Sequence, residues 1–269
     1  MKMNSTKMYL GFALLTLVLA FQNCSNAKFT SQVDSEAILN GTTGGDDPNA
    51  CRPTMVDSNK IIKVLFVVDT SGSNEGEGGS VASDPNKAWR SASISAFLNR
   101  YSGKSNFYYG LTTFQGSSSK AHIKIGGSAG FSNDAATVQS GYNSFMATSD
   151  TGSTPYKAAL NLAKSMISAD LSANAAQKAS YVMIMISDGQ ATDYRSPNDV
   201  IPDASSIKNL APSQISLNSV YYYSKNLDVS QTQYLKNISS IGEGSFITAN
   251  SNQVLSIDDV VKVPSSNCQ

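Results

Sequence analysis

The chain of 269 residues carries 20 basic and 20 acidic side chains, 41% hydrophobic residues and a single histidine, His122. This composition predicts one ordinary globular domain, or at most two, with ample apolar surface for a core. The balanced charge argues against nucleic acid as a main partner, because phosphate neutralisation needs clustered Lys and Arg. A single histidine also disfavours a Ser-His catalytic pair and a two-histidine metal site.

Residues 1–23 are typical of an export signal peptide. Lys2 and Lys7 precede the apolar stretch Met8–Phe21, which is shorter than the roughly 20 residues of a membrane-spanning helix. Cys24 follows in "LAFQNCSN", which resembles the lipobox of bacterial lipoproteins, although Asn23 departs from that pattern. We therefore expect an exported protein of a bacterial cell envelope, lipid-anchored through Cys24 at the outer membrane or in the periplasm. An ordinary secretory signal is the alternative.

Residues 24–57 are predicted to form the lipid attachment and a flexible tether, and residues 58–269 the folded domain. The segment contains "NGTTGGDDPN", a cluster of helix and strand breakers without an apolar period. When Cys24 carries a lipid, Cys51 and Cys268 remain as an even pair in an oxidising compartment, which predicts a disulfide between them. Two free thiols are the alternative.

From Ile61 onward, apolar strand patterns alternate with helical ones. Strands are predicted at 61–69, 106–114, 120–126, 181–188, 215–224 and 244–249, and helices at 86–101, 134–147, 155–171, 230–241 and 253–261. The near-continuous apolar runs at 61–69 and 181–188 are typical of parallel strands buried on both faces. Segment 120–126 follows its neighbour after a short Gly/Ser turn, which predicts one antiparallel edge strand. The pattern therefore predicts a doubly wound α/β fold with helices on both faces of a mostly parallel sheet.

Polar side chains follow two of the most apolar strands at the points where they end. Asp69, Ser71 and Ser73 come after the first strand, and Asp188 comes after the strand at 181–188. Thr154 precedes a proline, which is a favoured helix start with Thr as the N-cap. Ligand sites in open α/β sheets lie at the carboxyl ends of the strands. Oxygen ligands of this kind suit a hard divalent cation, Mg²⁺ first, with Mn²⁺ or Ca²⁺ as alternatives.

The motifs "DTSGS", "GST" and "ISDG", in this order, resemble the metal-ion-dependent adhesion site of von Willebrand factor type A (VWA) domains and integrin inserted domains. The resemblance covers about 61–263. It implies a Rossmann-like VWA fold and an open metal site that accepts an Asp or Glu side chain of a partner protein. The metal ligands that it implies are Asp69, Ser71, Ser73, Thr154 and Asp188.

Other charged residues near these motifs are given simpler interpretations. We expect Glu75, Glu77 and Asp84 to be solvated loop charges. Tyr194 and Arg195, just beyond "ISDG", are candidates for the rim that contacts a ligand.

Three classes of function follow. The first is a metal-dependent protein-binding or adhesion module without enzymatic activity, and the second is an assembly scaffold with a stabilising metal. The third is a Mg²⁺-dependent hydrolase with Asp69 as nucleophile. It is disfavoured because "DTSGS" has Ser where such enzymes commonly carry a second Asp. The sequence also lacks a Walker-type Gly-Lys-Ser/Thr loop.

Overall fold

The computed structural model describes residues 60–79 and 81–252. The predicted signal peptide, the lipid attachment at Cys24, the tether, the Cys51–Cys268 disulfide and the helix at 253–261 lie outside the described residues. Among the described residues, no helix has the length and apolar character needed to cross a bilayer.

A six-stranded sheet forms the centre of the domain. The strands in chain order are β1 (Ile62–Asp69), β2 (Phe107–Gln115), β3 (Ser118–Ala121), β4 (Lys124–Ile125), β5 (Ser128–Ala129), β6 (Ser180–Ser187), β7 (Ile215–Tyr223) and β8 (Glu243–Asn250). The sheet order is β3-β2-β1-β6-β7-β8, and β4 and β5 form a separate small ribbon. All neighbours in the main sheet are parallel except β3, which pairs with β2 in the antiparallel sense. The predicted mostly parallel sheet with one antiparallel edge strand is confirmed.

Helices cover both faces of this sheet, as predicted. They are α1 (Ala88–Tyr101), α2 (Ala135–Met146), α3 (Tyr156–Ala173), α4 (Ile201–Lys208) and α5 (Gln233–Ile241). Short 3₁₀ segments occur at Gly72–Glu75, Glu77–Gly79, Pro85–Lys87, Ala175–Gln177, Pro197–Val200 and Val229–Thr232.

The strand β1 contributes to an apolar core on each side of the sheet. Its alternate residues Val64 and Phe66 pack with α1 and α2, whereas Leu65 and Val67 pack with the other three helices. Successive side chains of a strand point to opposite faces, so a strand covered on both sides is apolar at most of its positions. All eight residues of β1 are buried.

Two local features differ from the sequence prediction. The edge strand ends at Ala121, so the predicted continuous strand at 120–126 is wrong: Ile123 turns into the core and is only 2% exposed, and Lys124–Ile125 pairs in the separate ribbon instead. Gly126 and Gly127 then adopt positive φ angles in the turn between β4 and β5. The helix α4 was not predicted, because Pro202 interrupts its pattern. In the structure this proline lies in the first turn, where the missing N–H costs no hydrogen bond.

Candidate metal centre

The two aspartates of the predicted site lie at the ends of neighbouring strands. Asp69 is the last residue of β1, and Asp188 directly follows β6. These strands pair in parallel register from Ile62 opposite Ser180 onward. Their carboxyl ends therefore meet at one edge of the sheet, which is where open α/β folds place ligands.

Hydrogen bonds connect the side chains of the β1 loop to Asp188. The Ser71 backbone N–H donates to Asp69 Oδ1 at 2.7 Å, and the Ser71 and Ser73 hydroxyls lie 3.2 Å apart. Ser73 Oγ donates to Asp188 Oδ1 at 2.9 Å. The Ser187 hydroxyl donates to the other oxygen of Asp69. Four of the five predicted ligands thus form one connected group.

Thr154 lies next to this connected group of side chains. A β-carbon built on Gly189 would lie 3.5 Å from Thr154 Oγ1 and 3.9 Å from Ser73 Oγ, so both hydroxyls face the space next to this glycine. The backbone of Thr154 is held by Thr192, which accepts from the Thr154 N–H at 3.1 Å through its hydroxyl. The structure therefore brings the five predicted residues together, although their role as metal ligands remains a prediction.

The start of α3 differs from the prediction in one respect that concerns Thr154. The helix begins at Tyr156, and Thr154 is not its N-cap. Asp193 caps it instead, because its Oδ2 accepts from the Lys157 N–H at 2.8 Å. The Thr154 hydroxyl is therefore not needed by the helix.

Backbone contacts hold the Thr154 loop against the β1 loop. The Gly72 N–H donates to the Gly152 carbonyl at 2.8 Å, and the Thr151 N–H donates to the Thr70 carbonyl at 2.9 Å. Glu77 accepts from the Gly152 N–H at 2.7 Å. It packs so closely over Gly72 that a β-carbon there would lie 1.8 Å from Glu77 Oε2. Glu77 is exposed, as expected, but it also joins the two loops.

A group of paired charges lies beneath the β1 loop, and we call Arg90, Asp84, Asp150 and Lys87 the arginine cluster. Arg90 is fully buried and contacts Asp84 at 2.7 Å and Asp150 at 2.6 Å. Its guanidinium also donates to the backbone carbonyl of Asp69. Lys87 lies 3.1 Å from the other oxygen of Asp150. The expectation that Asp84 is a solvated loop charge is wrong, because it is 2% exposed and also accepts backbone N–H groups at the start of α1.

Asp69 and Asp188, the carboxylate pair, are in a different electrostatic situation. Burial raises the pKa of Asp69 to about 7, the negative charge of Asp188 raises it further, and hydrogen bonds from Ser187 and Ser71 only partly oppose this shift. Burial also raises the pKa of Asp188, and hydrogen bonds with Ser83 and Ser73 and the charge of Arg90 only partly oppose this shift. Among the described residues, Asp188 Oδ2 is a buried oxygen without a hydrogen-bond partner. Two buried like charges with an unsatisfied oxygen are what a bound cation would relieve.

The donor set fits a hard divalent cation. Within residues 60–79 and 81–252, no cluster of three or more His, Cys, Asp or Glu side chains is arranged to hold a metal. The site described here is of another kind, because it combines the carboxylate pair with the hydroxyls of Ser71, Ser73 and Thr154. All of these donors are oxygens, which suit Mg²⁺, Mn²⁺ or Ca²⁺ better than softer ions.

A cleft of about 490 Å³ opens at this site. Ser73, Thr154 and Asp188 line one part of it, and its outer wall includes Val81, which is 54% exposed. The remaining wall comes from the end of β7 and the loop that follows, including Tyr223. A ligand that reaches the metal-site residues would therefore contact this wall.

The two candidate rim residues have other neighbours. The hydroxyl of Tyr194 donates to Asp203 Oδ2 at 2.5 Å, and the Arg195 N–H donates to Asp199 Oδ2 at 3.1 Å. Within residues 60–79 and 81–252, neither Tyr194 nor Arg195 is among the residues that line the cleft at the metal site.

Comparison with known proteins rests on structure alone. No family model matches the sequence, and no curated protein matches it. The fold is similar to a von Willebrand factor type A protein from Catenulispora acidiphila (TM-score 0.53, 12% identity), covering 71% of this chain and 38% of that one. Proximal thread matrix protein 1 from the mussel byssus, with a zinc-occupied metal-ion-dependent adhesion site, has a TM-score of 0.53 and 16% identity, covering 80% of this chain and 49% of that one.

A third similar structure is the pilus adhesin SpaC from Lactobacillus rhamnosus GG, with a TM-score of 0.52 and 15% identity, covering 77% of this chain and 29% of that one. The chain spans less than half the length of these three proteins. The chain has the von Willebrand factor type A fold.

Proposed function

We propose that this chain is a metal-ion-dependent protein-binding module of the adhesion type. Its site takes one divalent cation, Mg²⁺ first with Mn²⁺ or Ca²⁺ as alternatives. The bound cation in turn takes an exposed Asp or Glu carboxylate from a partner protein. The ligands proposed for the cation are Asp69, Ser71, Ser73, Thr154 and Asp188.

The observation that carries this proposal is a buried carboxylate pair that forms no ion pair within the described residues and lies beside three converging hydroxyls. The guanidinium of Arg90 contacts Asp84, Asp150 and the carbonyl of Asp69, and its charge only partly opposes the rise in the pKa of Asp188. Asp188 Oδ2 forms no hydrogen bond of normal geometry within the described residues. The zinc-occupied site of the similar byssus protein supports the expectation of a divalent cation.

The chemistry of the donor set supports a carboxylate as the partner group. We propose that Ser71, Ser73 and Thr154 hold the cation directly and that Asp69 and Asp188 act on it through water. Because the direct ligands are neutral hydroxyls, the cation's charge is incompletely cancelled at close range and attracts an outside anion. The chain's own contribution is to hold these hydroxyls in place, through the Gly72–Gly152 bond and the contacts of Thr192. The cleft wall with the exposed Val81 then adds contacts that select the partner.

We further propose that the domain acts outside the cytoplasm, lipid-anchored through Cys24 at a bacterial envelope. The similarity to a bacterial pilus adhesin supports a surface location. Tyr194 and Arg195 are retained as outer contacts of a large partner only, because they lie away from the cleft. We assign no catalytic role to Asp69, because the motif DTSGS carries Ser71 where Mg²⁺-dependent hydrolases of this kind commonly place a second Asp.

The alternative is an assembly scaffold in which the cation only stabilises the fold. The specific observation that favours it is the same buried carboxylate pair, because any cation that neutralises it stabilises the domain. The two functions differ in one property: a scaffold binds its partners equally well when the site is damaged but the fold is intact.

Partner binding therefore provides the test. We would measure binding of the domain to immobilised envelope and matrix proteins, and to acidic peptides, in Mg²⁺ and in EDTA. We expect wild-type binding in Mg²⁺ only, and at least about a tenfold loss for Thr154→Ala, because one ligand of the cation is removed. Ser153→Ala is the matched control, since its hydroxyl lies one residue away and bonds to the Gly116 carbonyl. Binding that survives EDTA and Thr154→Ala in a folded domain would leave the scaffold as the function.

A further inference from the structure

A second, larger cleft lies away from the metal-site residues. It has a volume of about 640 Å³ and shares no lining residue with the cleft at the metal site. It is formed between the chain around β3 and β4, at the outer edge of the sheet, and one face of α2. We call it the lysine cleft. Ala121 and Ala136 also line it, and its polar lining residues are Lys120, His122, Lys124, Thr137, Ser140 and Ser144.

The lysine cleft is positively charged. Lys120 and Lys124 are exposed, and no carboxylate is among the residues that line the cleft. Over the described ranges, neither ammonium group forms an ion pair. The carboxylate of Asp134 is engaged in capping α2, where it accepts from the Thr137 N–H at 2.8 Å and from the Thr137 hydroxyl at 2.6 Å.

The neutral imidazole of His122 forms part of the wall. Its two nitrogens lie 2.9 Å from the hydroxyls of Thr113 and Ser144, so the ring is held on both sides. Burial, and then the charges of Lys120 and Lys124, lower its pKa to about 4. Both lysine charges therefore act on the same space, and the histidine itself adds no charge at neutral pH.

The opposite wall of the lysine cleft is a row of hydroxyls. Thr137, Ser140 and Ser144 are spaced three and four residues apart, which places them on one face of α2. The hydroxyl of Ser140 is exposed, whereas that of Thr137 donates to Asp134 and that of Ser144 bonds to His122, so these two offer a ligand only their remaining capacity. A ligand that fills this cleft thus meets ammonium donors on one side and hydroxyl groups on the other.

We propose that the lysine cleft binds an anionic sugar, that is, a saccharide that carries a phosphate, sulfate or carboxylate group. The two ammonium groups match the anionic substituent, and the row of hydroxyls matches the hydroxyls of the sugar ring. The volume is in the range of small-molecule sites and much larger than one inorganic oxyanion needs. An acidic peptide matches the lysines but not the hydroxyls, and a nucleic acid requires a longer basic track than this neutral chain offers.

The test uses His122 as the reporter, because it is the only histidine in the chain. NMR signals of its imidazole would be followed in metal-free buffer without chelator, while glucose 6-phosphate, glucuronic acid, glucose, inorganic phosphate or an acidic peptide is added. We expect the two anionic sugars to shift these signals and to bind about tenfold more tightly than glucose or inorganic phosphate alone. The bound anion should also raise the pKa of His122, since it opposes the two lysine charges.

Variants make the test specific. Lys120→Ala/Lys124→Ala should weaken binding of glucose 6-phosphate at least about tenfold, and Ser140→Leu, which fills the cleft, should do the same. Lys157→Ala/Lys164→Ala on α3 removes the same charge elsewhere and should bind as wild type. Equal affinity for inorganic phosphate, for the acidic peptide or for neutral glucose, or unchanged binding by the first two variants, would overturn the assignment. Asp69→Asn should leave this binding intact, so the result is independent of the metal centre.

Discussion

Two groups of buried charges meet at Asp69, and they differ in how their charges are balanced. In the arginine cluster, Asp84 and Asp150 contact Arg90 at 2.7 and 2.6 Å, and Lys87 lies 3.1 Å from Asp150. In the carboxylate pair, two acids lie close together and neither forms an ion pair within the described residues. Asp150 Oδ1 and Asp188 Oδ2 both lack a hydrogen bond there, but only Asp150 Oδ1 faces an ammonium group, that of Lys87.

This difference shows where a cation is expected. A buried acid that only supports the fold is paired with a buried base, because an unpaired charge in the interior is costly. The chain does this for Asp84 and Asp150, a few residues from the site. It does not do so for Asp69 and Asp188, whose neighbours are the hydroxyls of Ser71, Ser73 and Thr154. We infer that the neutralising charge comes from a bound ion.

The largest effect should come from breaking the arginine cluster. Arg90→Met leaves Asp84 and Asp150 buried with fewer partners, and we expect the free energy of unfolding to fall by about 3–5 kcal/mol. Urea unfolding in metal-free buffer measures this. Arg100→Met, at the exposed end of the same helix, is the control and should change stability by less than about 1 kcal/mol. Similar losses for the two variants would show that the arginine cluster does not support the β1 loop.

A matched pair of substitutions should give opposite signs. Asp150→Asn removes a paired charge and should lower the metal-free free energy of unfolding by about 2–3 kcal/mol. Asp188→Asn removes one of two repelling charges and should raise it, by about 1 kcal/mol at pH 8.

Magnesium should separate the same two variants. Mg²⁺ should stabilise Asp150→Asn against urea, if it folds, but not Asp188→Asn. A loss of metal-free stability for Asp188→Asn as large as that for Asp150→Asn would remove the distinction between the two groups.

A smaller effect should appear in the pH dependence. The pKa of Asp69 is about 7 in the folded, metal-free protein and 3.8 in its ordinary state. Between pH 3.8 and about 7, the folded state therefore binds more protons at Asp69 than the unfolded state does. The free energy of unfolding should therefore fall as pH rises from about 4 to 7, by at most about 1.4 kcal/mol per pH unit from this group.

Saturating Mg²⁺ should remove most of this fall, because the cation stabilises the ionised carboxylate. Denaturation curves at pH 5, 6 and 8 with and without Mg²⁺ measure both effects. Asp69→Asn should lose the part of the fall that comes from Asp69 and keep only that of Asp188, whose pKa is also raised. An unchanged pH profile in this variant would assign the effect to another group.

Much of the fold follows from the sequence because its strands are covered on both faces. A strand such as Ile62–Asp69, with eight buried residues, is apolar at every position except Lys63 and Asp69, and this is visible without a structure. The carboxyl ends of parallel strands lie at one edge of the sheet. The convergence of Asp69 and Asp188 could therefore be predicted from their positions at the ends of two such strands. The position of Thr154 could be predicted because it directly precedes a helix start at the same edge of the sheet.

The features that could not be predicted from the sequence, the pairing of Asp84 and the end of β3, depend on long-range contacts. Asp84 lies in a glycine-rich loop and looks solvated, but Arg90 buries it. Asp150, 60 residues from Arg90 along the chain, completes the arrangement. The end of β3 at Ala121 depends on the core taking in Ile123, which a local alternation of apolar residues does not reveal. Pairing of charges and the choice of which side chain turns inward are tertiary properties, so local patterns carry little signal for them.

The most direct test of the central claim is a measurement of Mn²⁺ bound to the metal-free protein, by electron paramagnetic resonance of the free ion. The account predicts one bound ion per chain for wild type and for Ser153→Ala, weaker binding for Thr154→Ala and none for Asp69→Asn. Equal binding by all four proteins, or none by the wild type, would contradict it.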